Sequence, residues 1–148
     1  MMNDGQHIIT LAAEEDETLS SGSLRLYAIP TASDNSSLTT HLSSLPPVGA
    51  IDLYNHDPVN RRAAVGIMVA SEYRRQGYAL AMLKALENSS FITHHSSLHT
   101  LYADIAATNT ASIALFRKAG YEECGHFKEW LAVDGKYIDT IRMQKILS

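Results

Sequence analysis

Apolar positions along this chain follow two rhythms, and each rhythm predicts a different element. Ala79, Met82, Leu83 and Leu86 recur at i, i+3, i+4 and i+7, one face of a helix that opens near Gly77. Ser112, Leu115, Phe116 and Ala119 repeat that spacing, with Thr110 as the expected cap, Arg117 and Lys118 in the last turn and Gly120 just beyond it. Ile8, Leu11 and Ala12, continued by an acidic run, predict a third helix over 6–19. Strands are predicted from β-branched and aromatic runs at Leu24 to Ile29, Val48 to Tyr54, Arg62 to Ala70 and Leu98 to Ile105. In the third of these, Val65, Ile67 and Val69 share a face. Glu122 to Val133 and Lys136 to Lys145 read as a hairpin closed by Asp134-Gly135, a strong turn signal.

Between these elements, residues 31–44 hold five Ser and three Thr without apolar periodicity, which predicts a loop, and Pro46-Pro47 ends it by forbidding helix. The resulting order is helix, three strands, helix, strand, helix, two strands. That order predicts a single domain over 1–148 of the α+β class, with a mixed, mostly antiparallel sheet flanked by helices and one crossover near the middle. A length of 148 residues with 45% apolar positions suits one core. Twelve Lys plus Arg against sixteen Asp plus Glu give a net charge of −4, which argues against nucleic-acid binding by bulk charge. The single cysteine, Cys124, excludes an intrachain disulfide and any multi-thiolate cluster. No apolar run approaches the ~18 residues of a membrane span, so a soluble, cytoplasmic chain with no membrane partner is expected.

Chemistry concentrates between Ala63 and Leu83, where an apolar strand runs into Arg74-Arg75-Gln76-Gly77-Tyr78-Ala79 and a helix begins. N–H groups at a helix start lack intrahelical acceptors and sit at the positive end of the dipole, so they suit phosphate. A glycine there lets a pyrophosphate approach the main chain, although the same pattern also describes an ordinary strand–loop–helix connection with solvated arginines. The combination of Arg74-x-x-Gly77-x-Ala79 with Asn109-Thr-Ala-Ser112-Ile-Ala-Leu-Phe116-Arg-Lys-Ala-Gly120-Tyr121 resembles the GNAT N-acetyltransferases. The phrase running from Ile51 to Ala63 and the Gly135-Lys-Tyr-Ile-Asp139 segment resemble the branch of that superfamily holding ribosomal-protein and spermidine acetyltransferases.

That resemblance implies acetyl-CoA as co-substrate and no metal. It implies that Ile67, Met68 and Val69 part from the neighbouring strand and pair with the pantetheine arm, with Gly66 as a bulge where the parting begins. Arg74, Arg75, Gln76, Gly77, Tyr78 and Ala79 would cradle the pyrophosphate. Asn109 would hydrogen-bond the pantetheine or a nearby backbone group, Ser112 would belong to the same cofactor site, and Phe116 would pack beside the thioester; the alternatives are a helix-start role for Asn109 and a core role for Phe116. Many members of the family place a catalytic Glu where this chain has Ala64, and a Tyr general acid where it has Phe116, so neither usual group is present. Asp52, Asp104 and Tyr121 are the remaining candidates for catalysis, followed by His56 and Asp57, although a structural role is the commoner fate of each. Of His94, His95 and His99, the last two are four apart, but they fall at a helix–strand junction rather than on one helix and no Glu accompanies them, which argues against a metal site. Cys124 is expected to be a small buried residue, and Trp130 with Tyr137 a core pair of the hairpin or a wall of the acceptor cleft.

The function these residues imply is transfer of an acetyl group from acetyl-CoA to a primary amine: a protein N-terminus, a polyamine or another small amine. Ala64 and Phe116 keep open a non-catalytic acyl-CoA-binding module or a degenerate scaffold. The family fold opens with a strand and helices, whereas the 23 residues before Leu24 read as one helix at most, so the amino-terminal strand and first helix are expected to be missing. An open edge at Leu24 to Ile29 would follow, covered in a homodimer, or the chain would be a shortened form of a longer protein.

Overall fold

The computed structural model describes residues 9–13, 23–30, 46–89, 92 and 98–147. Among these residues, seven strands and two α-helices follow one another as β1 (Ile9–Ala13), β2 (Leu24–Pro30), β3 (Gly49–Asp57), β4 (Arg62–Val69), α1 (Tyr78–Asn88), β5 (Thr100–Ala106), α2 (Thr110–Lys118), β6 (Glu122–Val133) and β7 (Lys136–Ile146), with a 3-10 turn over Ser71–Tyr73 between β4 and α1. They form one sheet in the order β1-β2-β3-β4-β5-β7-β6. Every neighbouring pair is antiparallel except β4 and β5, which α1 joins by a crossover. The mixed, mostly antiparallel α+β architecture is therefore as the sequence predicts.

The amino terminus is not. Residues 9–13, expected within a helix, form β1 and pair with β2 from Ile9 opposite Pro30 to Ala13 opposite Leu26. An opening strand is thus present, and β2 is hydrogen-bonded on both sides, by β1 and β3. The free edge expected at Leu24 to Ile29 does not exist; the outer strands of the described sheet are β1 and β6. The helix assigned to 6–19 and the loop over 31–44 otherwise lie outside the described residues.

Strand alternation sorts the sheet into two unlike faces. Leu26, Ile51, Leu53, Val65, Leu101 and Met143 point to one face and are buried. The helices cover that face, α1 through Leu80, Ala81, Met82, Leu83 and Leu86, and α2 through Phe116. Each fully buried leucine contributes roughly 1.5–3 kcal/mol of transfer free energy, which is why these two periodic segments are fixed where they are. The opposite face carries charge and aromatic rings. Arg25 lies directly across from Asp52 and grips its carboxylate with two bonds of 2.7 and 2.8 Å. Arg142 lies directly across from Asp104 and does the same at 2.7 and 2.9 Å. The Arg142 guanidinium also stacks on Tyr102, 4.5 Å from its ring centre.

Two details of the sheet position the site. β4 and β5 pair only from Arg62 opposite Thr100 to Ala64 opposite Tyr102, and beyond that point they separate. Gly66 is not a bulge: it pairs in register with Asp52. The irregularity falls on β3 instead, between Tyr54 and Asp57, where Asn55 takes φ +51°.

Candidate active site

The separation of β4 from β5 opens a groove on the helix face. One cavity of about 460 Å³ runs from Ile67 and Val69 past the Arg74–Ala79 loop to Ala111, Ser112, Leu115 and Lys118 on α2. A second, of about 220 Å³, lies between the parted strands and is bordered by Tyr54, Gly66, Asp104, Asn109 and Phe116. Ile67 and Ser112 border both, so the two form one path from the start of α1 into the fork. Beyond the fork, on the charged face, a third cavity of about 250 Å³ lies against Arg25, Asp52 and Tyr54.

At the mouth of this path the backbone is shaped by two left-handed residues. Arg75 has φ +62°, and Gly77, the residue before α1, has φ +85°. The first helical bond runs from the Ala81 N–H to the Gly77 carbonyl, 3.2 Å, so the N–H groups that precede it have no acceptor within the helix. Side chains hold the loop in this shape. Arg74 Nε donates to the Val69 carbonyl at 3.0 Å, and Gln76 Nε2 donates to the Glu72 carbonyl at 2.9 Å. Gln76 therefore braces the turn and does not border the groove, whereas Arg74, Arg75, Gly77, Tyr78 and Ala79 all do. Ile67 and Val69 face the groove as well, while the Met68 side chain is 58% exposed and borders neither of the two cavities. Tyr73 and Tyr78, packed edge to face at 5.5 Å, add an aromatic wall that sequence reasoning missed in Tyr73. Its position beside Arg74 was the available signal.

At the far end, Asn109 rather than Thr110 caps α2, its Oδ1 accepting from the Ser112 N–H at 3.1 Å. The same residue borders the fork, so the cap and the cavity share one side chain. Phe116 is 2% exposed, and its ring meets Tyr121 edge to face at 4.9 Å while bordering the fork. Core and cavity roles coexist there.

Among the catalytic candidates, Asp104 borders the fork and Asp52 the cavity beyond it, but both carboxylates are held by arginines. Tyr121 is buried beneath the groove and borders none of the three cavities. Among the described residues its hydroxyl has no hydrogen-bond partner, and burial pushes its pKa well above the ordinary phenol value. Asp57 organises its own turn, accepting from the Val59 and Asn60 N–H groups at 3.0 and 2.9 Å. Those bonds, those from Asn60 foremost, hold its carboxyl below the usual range.

Other expectations are corrected. Cys124 is exposed, not buried; its Sγ donates to the Arg142 carbonyl at 3.4 Å, and partial desolvation raises its pKa, which disfavours a thiolate. Trp130 and Tyr137 are 63% and 68% exposed and form no core pair, because Tyr137 faces Ala132 across the hairpin while Trp130 leans on Phe127 at 5.1 Å. Among the described residues no three His, Cys, Asp or Glu side chains gather as metal ligands, and His94 and His95 lie outside those residues. No helix of the described residues is long and apolar enough to cross a membrane.

The parted parallel strand pair leads into a left-handed loop at a helix start, an arrangement shaped for an elongated ligand that carries a phosphate at one end. Residues 7–122 match the acetyltransferase (GNAT) domain, and the chain belongs to that family. Spermidine N(1)-acetyltransferase of Vibrio cholerae is 30% identical over 97 residues, covering 65% of this chain and 54% of that protein. The putative ribosomal N-acetyltransferase YdaF of Bacillus subtilis is 30% identical over 93 residues, covering 63% and 50%. The chain spans about half the length of the curated relatives it matches. Among solved structures, the V. cholerae spermidine N-acetyltransferase in complex with CoA and spermine superposes with a TM-score of 0.72 at 21% identity, over 86% of this chain and 68% of that one. A dodecameric structure of the same enzyme gives 0.70 at 22% identity, over 86% and 66%. At that identity the likeness is one of fold.

Proposed function

We propose that the chain acts as one cytoplasmic acetyltransferase domain, moving the acetyl group of acetyl-CoA directly to a primary amine in a ternary complex. The observation that carries this reading is the continuous path from the left-handed Arg75–Gly77 loop to the fork beyond Ala64 and Tyr102. The loop offers backbone donors for the pyrophosphate, with Arg74 and Arg75 at its rim. Ile67 to Val69, having lost β5 as a neighbour, present a strand edge to which the amides of a pantetheine arm can bond. Asn109, Ser112 and Phe116 then border the place where the thioester arrives. The relatives' names, a spermidine acetyltransferase and a putative ribosomal N-acetyltransferase, support a polyamine or a ribosomal amine as acceptor, and the cavity against Arg25, Asp52 and Tyr54 gives the amine a way in from the opposite face.

Ala64 and Phe116 favour a second reading, an acyl-CoA-binding module without turnover, since neither can move a proton. Release of free CoA, followed with a panel of polyamines, small amines and amino-terminal peptides, decides between them. Turnover on any amine supports the enzyme, tight binding of acetyl-CoA without turnover supports the module, and no binding leaves only a scaffold. A homodimer belongs to the same proposal, with the surface it would cover moved from β2 to the β6–β7 hairpin, where Trp130, Leu131, Val133 and Tyr137 are exposed. Light scattering at micromolar concentration tests it; a stable monomer sinks it.

A further inference from the structure

Resting on the acetyl-transfer reading, we infer that Tyr54 is the proton donor to the departing CoA thiolate. Tyr54 stands on β3 directly opposite Ala64, at the last residue pair before β4 leaves β5. Opposite so small a residue, the ring is free to lean along β4. Its Cε1 lies 3.5 Å from the point where a Cβ on Gly66 would sit, an ordinary contact distance, so the ring lies over Gly66 at the fork. The backbone irregularity that follows at Asn55 is the kind of distortion that re-aims a neighbouring side chain. Tyr54 borders both the cavity between the parted strands and the one on the charged face, and so stands where donor and acceptor paths meet.

Among the described residues bordering the fork, Tyr54 and Ser112 carry a hydroxyl proton, and the phenol is by far the stronger acid of the two. Phe116 has none, and Asn109 spends its oxygen on the helix cap. The carboxylates nearest Tyr54, Asp52 and Asp104, are each gripped by a guanidinium. Burial, then the charge of Asp104, raise the Tyr54 pKa above the ordinary phenol value and keep the hydroxyl protonated. In the step, the amine lone pair forms the N–C bond and the C–S bond breaks. The phenol proton passes to the sulfur, and the phenolate recovers a proton from the ammonium formed by the attack, directly or through water.

The test is Tyr54→Phe, measured with acetyl-CoA and with its selenoester analogue, whose selenolate leaves without a proton. A general acid contributes about a hundredfold or more, so kcat with acetyl-CoA should fall by that factor while the affinity for CoA and the KM for the amine stay within about twofold. With the selenoester the loss should shrink below about threefold. An equal loss with both donors, or a loss of CoA affinity, would show Tyr54 to be structural and overturn the assignment. An unchanged kcat in an active enzyme overturns it too, leaving the acetyl-transfer reading intact. A parent chain that releases no CoA with any amine overturns both.

Discussion

Replacing Gly77 by valine perturbs the site through the backbone. At φ +85° a residue with a Cβ is strained by about 1–2 kcal/mol, and β-branching adds crowding, so the loop leaves this conformation and the N–H groups ahead of Ala81 lose their aim. Losing a single charge-assisted bond to a phosphate oxygen costs ~1.5–3 kcal/mol. At ~1.4 kcal/mol per tenfold, that is about a ten- to hundredfold weaker hold on CoA. The strain itself should lower Tm by roughly 2–8 °C for a chain of this size, so binding must be read well below the transition. Calorimetric titration gives the CoA affinity, and kcat/KM for acetyl-CoA against S-acetylpantetheine shows where the loss arises. Pantetheine lacks the pyrophosphate, so the loss should be confined to the full coenzyme. Gly77→Asn, which tolerates the left-handed region, should keep most of the affinity. An equal loss on both donors, or no loss on either, refutes the phosphate-loop argument.

Arg74→Ala should weaken CoA binding by only a few-fold and flatten its salt dependence, because the exposed charge is screened and its Nε bond to Val69 is one of several braces; titration at two ionic strengths checks this. Tyr121→Phe should keep activity and raise Tm by a few degrees, since it deletes a buried hydroxyl without a partner among the described residues; thermal melting and turnover report the two effects. Asp139 accepts from His126 at 2.7 Å and from the Glu129 N–H at 2.8 Å, and these bonds, His126 first, hold its pKa below the ordinary 3.8. A depressed carboxyl contributes stability that is present above the unfolded value and is lost as pH falls through the folded one. Tm of the parent chain should therefore drop more steeply below about pH 4 than that of Asp139→Asn, and superimposable melting profiles would remove the argument.

Periodicity located the helices that line the groove because each of them repeats its apolar spacing over at least two turns. Over 9–13 it failed for a physical reason: Ile-Thr-Leu-Ala-Ala satisfies a helical spacing and a two-residue alternation equally well, and five residues are too few to separate them. Pairing with β2 decides the matter, and that pairing is not local. The Arg25–Asp52 and Asp104–Arg142 grips were hidden for the same reason, since each joins residues that only strand register sets opposite one another. Tyr54 escaped notice within a motif already recognised as informative, because its meaning depends on facing Ala64 across the sheet. The loop proposed to hold the cofactor, by contrast, was legible as a contiguous run of residues, glycine and arginines together, and the structure shows it left-handed at the start of α1.

The short parallel pairing of β4 with β5 also bears on how the chain acquires its structure. Three residue pairs join the sheet's two halves, whereas β5, α2, β6 and β7 are consecutive in the chain and pair along nearly their full lengths. Loop closure for that carboxy-terminal half is short, so its contacts can form with little entropy lost, and the parallel seam must wait for the α1 crossover to be in place. The halves should behave as two cooperative units, with amide protons of β5 and β7 outlasting those of β1 and β2 during native-state exchange. The parting of β4 from β5, where we propose that a thioester sits, is thereby also the seam along which the two halves should separate.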